Sequence, residues 1–551
     1  MLKDMKMELF ILAFVVLMFN SYGQAIKTEG KDSKQITETF PIFDVRNYGA
    51  LGDGKTINTA AIQKAIDNCN ASGGGKVLIA NGNYVTGTIF IKSNVILYIE
   101  VGATLSGSTK IVDYSPDVFR NQYAGEPYMD RCLIFAENAK NIGIEGKGMI
   151  NGRGEKVNFP NVGDPHNYRP VLIRFLKCEN ILLQDIELLN PACWTVAMIY
   201  CKRINVEGIT ISSRVNGNGD GLDFDGCEYV TINNCVFDTS DDAICLQASS
   251  KDYPCRFFTI TNCIMSSQWA GIRIGLLSIG DFYNVSVDNC VFHNIVDAGL
   301  KIQMNEGGRM ENFIFSNLIM KEVTRVVLMT FNNFTVYVDG PDEPAPMQAM
   351  KNFMFSNFRV ETKSVQKDDV KPLILITGLP GHMIENLTFS NFYMTGPGGG
   401  TNSDGKLRSI PELDHIRPEF FQFGKVVPAY GIYARHVKGL YLDNLVMNTE
   451  TPDSRPAVIC DDVIDMELSD SKASVTSDAE CMIRLQNVRQ AWIRNCQPLG
   501  INDAFLQVEG EESSKILLSG NDLRLSKNLF VCKNGATINV VRTLNNIKLN
   551  D

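Results

Sequence analysis

One acidic stretch of the sequence, Asn218-Gly-Asp-Gly-Leu-Asp-Phe-Asp-Gly, is followed by Thr239-Ser-Asp-Asp-Ala-Ile-Cys-Leu-Gln. Asp220 and Asp241 stand 21 positions apart. If that interval is close to one coil of a stacked ribbon, Asp241 and Asp242 lie one rung, roughly 4.8 Å, along the axis from Asp220. Like charges at that range raise at least one pKa. A carboxylic acid that stays protonated can give its proton to a leaving oxygen while an ionised partner serves as base. This is the equipment of glycoside hydrolysis. Aspartates beside glycine also build turns, and acidic loops can bind calcium, so the residues alone leave those readings open.

The ribbon itself is legible as a repeat. YVTINNCVF from Tyr229, FFTITNCIM from Phe257, YNVSVDNCVF from Tyr283, NFIFSNLIM from Asn312 and NFMFSNFRV from Asn352 are variants of one phrase, and NLTFSNFYM and GLYLDNLVM follow. The aligned asparagines are Asn234, Asn262, Asn289, Asn317, Asn357, Asn391 and Asn444, with first steps of 28, 27 and 28 residues. A fixed period means stacked coils. Each phrase alternates apolar and polar residues, as a strand buried on one face must, then breaks at an Asn able to adopt left-handed geometry. The apolar period of two excludes helix-pair repeats. The reading is therefore an all-β, single-stranded parallel β-helix, right-handed by the general preference of parallel crossovers. Cys235, Cys263 and Cys290 should stack inside as a small apolar ladder. Later steps of 40, 34 and 53 residues imply inserted loops, expected at Gly340 to Pro346, Thr362 to Asp369 and Gly396 to Gly405. Such loops on one side wall a groove, and closing one end of it would suit an end-cutting enzyme.

Gly49 to Thr56 matches the phosphate-binding pattern G-x-x-x-x-G-K-S/T, between an expected strand over Phe43 to Tyr48 and a helix over Thr59 to Cys69. A β-solenoid follows, where a nucleotide-binding fold would alternate strands and helices, so the match is read as structural. Gly52 and Gly54 turn the chain, and the helix caps the open end with Ala61, Ile62, Ala65 and Ile66 on one face.

Lys3 and Lys6 precede an apolar run from Leu9 to Phe19, then Ser21 and Gly23, the layout of a signal peptide over residues 1–23. The run is shorter than the roughly 20 residues a membrane span needs. An exported protein, periplasmic or extracellular, is expected, with residues 24–551 as one β-helical domain acting as a monomer. Fifteen Cys have neither the parity nor the spacing of a disulfide framework or zinc site, and the five histidines show no metal-ligand spacing. A net charge of −10 without a basic block excludes nucleic acid as a partner. No metal and no cofactor are expected, and the partner is a polysaccharide or oligosaccharide.

FDVRNYGALGDGKTINTAAIQKAID, IEVGATLSGS, NPACWTV, NGDG and DDAICL occur in the order found in glycoside hydrolase family 28, the polygalacturonase family, which the chain resembles over most of its length. The resemblance implies catalysis by an N-x-D motif and a D-D motif one coil later, here Asn218, Asp220, Asp241 and Asp242. It implies an inverting mechanism, with Asp241 as general acid and Asp220 with Asp242 positioning and deprotonating water. The family's G-H-G is matched by Trp269-Ala-Gly-Ile-Arg, leaving Ala270 at the histidine position. Its R-I-K, which holds the uronate carboxylate, becomes Lys301, Ile302 and Gln303. Lys301 and Gln303 share a strand face and are expected to reach one sugar, with Arg273 as a compensating cation. A pectic glycan with another sugar at the cut, such as rhamnogalacturonan, fits as well as homogalacturonan. A non-catalytic glycan-binding solenoid and a polysaccharide lyase are the competing readings. Asp461 and Asp462 form a second pair with no acidic partner one coil before, Arg435 and His436 are candidates for the groove border, and Trp194 reads as core.

Overall fold

Strand residues of alternating character, broken at regular intervals by a residue that accepts positive φ, can only wind. The computed structural model describes residues 41–116, 130–160, 168–334, 348–363, 372–413 and 415–548. The expected signal peptide, the loop at Gly340 to Pro346, most of that at Thr362 to Asp369, and His166 lie outside them. Each coil supplies three strands, for example Leu222–Asp225, Glu228–Asn233 and Val236–Thr239. Equivalent strands of successive coils pair in parallel, giving three sheets along the axis of a right-handed β-helix.

The corners obey the asparagines. Asn234, Asn262, Asn289, Asn317, Asn357, Asn391 and Asn444 all adopt φ between 51° and 62°. Their amides also bond along the axis. Asn357 donates to Asn317 (2.9 Å), Asn391 to Asn357 (3.0 Å) and Asn444 to Asn391 (2.9 Å). A second ladder runs through Asn284, Asn312, Asn352 and Asn386. Inside, like stacks on like: Phe313 lies on Phe353 at 4.7 Å, Phe355 on Phe389 at 4.5 Å and Phe358 on Phe392 at 4.3 Å between ring centres. Cys235, Cys263 and Cys290 are buried as expected, and all fifteen cysteines are free thiols.

The helix Thr59–Ala71 covers the N-terminal end with Ile62, Ala65, Ile66 and Cys69 fully buried. The strand expected over Phe43 to Tyr48 stops at Asp44, because the Asp44 carboxylate accepts the Arg46 N–H (2.9 Å) and starts a 3₁₀ turn over Val45–Tyr48. The phosphate-loop look-alike is a strand, Asp53–Ile57, in which Asp53 accepts both the Lys55 and Thr56 N–H groups. A carboxylate thus fills the amide cradle that a phosphate would need.

The first sheet, containing Leu222–Asp225, differs from the other two. Its strands are buried on both faces. Toward the C-terminal end its outer face is covered by a strap, the chain between Gly396 and Ile432, which continues well beyond the loop expected at Gly396 to Gly405. Ile410, Leu413, Phe423 and Val427 of the strap pack on Leu328, Leu375, Tyr433 and Ile459 of the sheet. Arginines of the coils pin its backbone. Arg435 donates to the carbonyls of Ile410 (3.0 Å) and Pro411 (3.1 Å), Arg455 to those of Val427 (3.1 Å) and Ala429 (2.8 Å), and Arg484 to those of Gly405 and Leu407 (both 2.6 Å).

Candidate active site

Upstream of the strap, two turns on successive coils meet at one edge of the first sheet. Thr195 N–H donates to the Asp220 carbonyl (2.9 Å), Gly221 N–H to that of Asp242 (2.9 Å) and Ala243 N–H to that of Ala270 (3.0 Å). The rung partner of Asp220 is therefore Asp242, and Asp241 is the additional residue of the turn. Ser240 ties the turns together, its Oγ accepting from Gly219 N–H (3.1 Å) and donating to the Asn216 carbonyl (2.6 Å). Thr239 and Ser267 hydroxyls both donate to the Asp241 carbonyl at 2.6 Å. With its backbone held from two coils, Asp241 has little freedom to turn away from its partners.

Asp220, Asp241 and Asp242 each bring a carboxylate oxygen within 4.8 Å of the others. Asp242 is buried at 1% exposure, accepting from Ala270 N–H (3.1 Å) and Arg273 Nη1 (3.3 Å). Asp241 stays partly open. Burial, and then the charge of Asp242, push Asp241 up to about 7, with Arg273 and Lys301 opposing. Burial also raises Asp242, again opposed first by Arg273. A carboxyl raised to about 7 can hold a proton near neutrality, as a donor to a leaving oxygen must. The same three oxygens are the group among the described residues with the spacing to receive a cation.

Asn218 sits in the Asp220 turn at φ 51°, its Oδ1 accepting from Arg169 Nη2 (2.8 Å), while Arg169 Nη1 holds the Gly217 carbonyl (2.7 Å). Since Arg169 takes the amide oxygen, the Asn218 amide presents N–H groups elsewhere. Nothing in the local sequence marks Arg169, which lies 49 residues before Asn218 and arrives two coils upstream. Arg273 lies beside the carboxylates, with Nη1 on Asp242. Ala270, at the position where the resemblance calls for histidine, contributes its backbone N–H to Asp242 instead.

Lys301 and Gln303 do not stand open to a sugar. Lys301 is 0% exposed, paired with Asp297 (2.6 Å) and with Glu419 of the strap, over the Trp269 ring at 4.4 Å. Gln303 donates to the Pro418 carbonyl (2.5 Å) and accepts from Arg273 (3.2 Å). The direct sugar contact expected of both is replaced by contact with the strap, whose path over this sheet is invisible in a local reading. Arg435 and His436 are also under the strap, with His436 between Asp462 (2.7 Å) and Glu412 (3.3 Å). Trp194 lies in an apolar patch with Phe135 and Tyr200.

The profile of the family described as Glycosyl hydrolases family 28 matches residues 69–410. An exo-poly-alpha-D-galacturonosidase of Dickeya chrysanthemi is 26% identical over 444 residues, 68% of this chain and 72% of that one. A polygalacturonase of Persea americana is 27% identical over 347 residues, 58% of this chain and 69% of its own length. Among solved structures, a hyperthermoactive exopolygalacturonase from Thermotoga maritima superposes with a TM-score of 0.56 at 22% identity, covering 65% of this chain and 87% of that one.

Proposed function

That the chain belongs to glycosyl hydrolases family 28 is the premise from which we propose its reaction: hydrolysis of glycosidic bonds in a pectic polysaccharide, from a chain end. The protein is a glycosidase. The observation that carries the mechanism is the triad of carboxylates within 4.8 Å, with one of them raised to about 7.

Asp241, raised to about 7 and the most open of the three, is the general acid that protonates the leaving oxygen. Asp220 and Asp242, rung neighbours, hold a water between them and take its proton as it attacks the anomeric carbon. Arg273 favours the ionised form of Asp242 against its burial, and Asn218 offers its amide N–H groups to the sugar. Attack from the face opposite the leaving group inverts the anomeric centre. The close spacing of the oxygens favours a second reading: acid and base in inverting enzymes usually stand about 6.5–9.5 Å apart, and about 5 Å is usual for retention. Proton NMR of the first product anomer separates the two, since inversion yields the opposite anomer before mutarotation.

The names of the relatives, a galacturonosidase and a polygalacturonase, support the pectic substrate. The strap, packed on the sheet beyond Lys301, walls the groove on that side and supports end-wise attack. Among the described residues no helix is long and apolar enough to cross a membrane. Export through a signal at residues 1–23, a single solenoid domain over 24–551, and action as a monomer accord with a polymeric substrate met outside the cytoplasm. Incubation with homogalacturonan and rhamnogalacturonan, with identification of the released sugar, tests the reading. Release of a saturated mono- or oligosaccharide is expected. An unsaturated, ultraviolet-absorbing product would make it a lyase, and affinity without turnover would make it a binding module.

A further inference from the structure

Beyond Asp242 the first sheet carries one cation on each of two successive rungs, Arg273 and then Lys301, which are register partners. Arg273 meets Asp242 and Gln303, so its charge is shared with the catalytic pair. Lys301 already makes a neutral pair with Asp297, four residues before it. A second carboxylate is nevertheless laid on it. Glu419 reaches Lys301 from the strap, 118 positions later in the chain, and is 2% exposed. Arg417 secures Glu419 from the other side at 2.8 Å, and Gln303 holds the adjoining Pro418 carbonyl at 2.5 Å. Burial alone would raise Glu419, yet Lys301, Arg273 and Arg417 together hold it below the usual carboxylate range.

Around the reacting carboxylates and one rung beyond them, Asp220, Asp241, Asp242, Asp297 and Glu419 therefore face Arg273, Lys301 and Arg417. A substrate carboxylate approaching Lys301 meets, in the position it would take, a carboxylate that the protein itself supplies. A buried like charge at contact range is a strong rejecting element, and specificity is a difference of affinities that such elements create.

We propose that Glu419 is a specificity-determining residue: it fills the anion position over Lys301 and closes that lysine to substrate, so that the sugar bound in the groove next to this pair carries no free carboxylate and is a neutral or esterified unit of the pectic chain. The inference rests on the hydrolase reading and deepens it. The remaining negative field disfavours free uronate at this one position while leaving uronates elsewhere in the polymer unaffected.

The test compares free-acid oligogalacturonides, their methyl esters, and rhamnogalacturonan oligomers of equal length. Initial rates are measured with the wild type and with Glu419→Gln and Glu419→Asp, and calorimetric affinities with Asp241→Asn alone and combined with Glu419→Gln. The wild type should prefer the esterified or rhamnose-containing oligomers by at least about tenfold in kcat/KM. Glu419→Gln should move that ratio about tenfold toward the free acid, mainly through KM, whereas Glu419→Asp should retain the wild-type order. A wild type that prefers the free acid overturns the proposal whatever the variants do, and so does an unchanged ratio in a folded Glu419→Gln. If no oligomer is cleaved, the hydrolase reading on pectic chains fails. The affinity ratios then still decide whether Glu419 rejects a carboxylate.

Discussion

Among the described residues the solenoid carries two Asp-Asp pairs, and their neighbours one coil away make them different chemical objects. Asp241-Asp242 has Asp220 on the preceding rung and Arg273 on the following one. Asp461-Asp462 has Arg435 and His436 before it and Arg489 after it, with His436 at 2.7 Å and Arg489 at 3.0 Å from Asp462. Burial raises both Asp241 and Asp461. Only the first pair adds a third carboxylate within 4.8 Å. The second pair is satisfied by cations and, through His436 and Glu412, helps hold the strap. A dipeptide thus has no fixed role in a parallel β-helix; the residue one rung away assigns it.

The sharpest contrast is in turnover. Asp241→Asn should lower kcat by about 10²–10⁴-fold on any cleaved pectic oligomer, the usual contribution of a positioned acid. Asp461→Asn should stay within about threefold, since it touches no reacting group. Equal losses in steady-state rates would erase the distinction between the pairs.

Next in size is the pH response. The acid must be protonated, so activity should fall as pH rises through about 7, the value to which burial and Asp242 bring Asp241. On the acid side, activity should fall as pH drops through the raised value of Asp242. The same shift costs stability. An acid raised on folding destabilises the native state once both forms are ionised, so Asp241→Asn should stabilise the protein at pH 8 by ~1–3 kcal/mol and by less at pH 5. Thermal unfolding at the two values measures it, and a uniform shift would mean that Asp241 titrates normally.

An effect of similar size and opposite sign is expected at the other pair. Burial works against a charged His436, but Glu412 and Asp462 outweigh it and raise its pKa above 6.5. Its contribution is then complete below the unfolded value and lost as pH rises through the raised one. His436→Phe should cost ~1–3 kcal/mol at pH 5.5 and clearly less at pH 9. A cost that grows with pH in denaturant titrations would refute the clasp. The smallest expected effect is that of a chelator, which should leave the rate within measurement error. A loss restored by calcium would turn the three carboxylates into ion ligands.

What the sequence disclosed followed from what repeats. The asparagine period sets the coil, and the coil brings Asp220 to the D-D turn. The strap was not legible, because nothing local says where a stretch such as residues 406–430 comes to rest. One trace of it was present. Arg325-Val-Val-Leu-Met-Thr and Pro372-Leu-Ile-Leu-Ile-Thr lack the alternation of the neighbouring strands. A strand apolar on both faces is covered on both faces. Leu328 and Leu375 were the positions that announced a cover, and with it the burial of Lys301 and Gln303. Arg169 left no such trace, since its partner Asn218 is two coils distant.

The arginine forks that hold the strap grip it mainly by main-chain oxygens, Arg435 adding the Glu412 carboxylate, and a carbonyl is the same whatever residue bears it. The path of the strap is thereby uncoupled from the identity of most of its side chains. Positions between the grips are free to vary across generations, or in a library, without the roof coming loose. A solenoid built this way can retune which sugars it admits while its hydrolytic centre stays untouched.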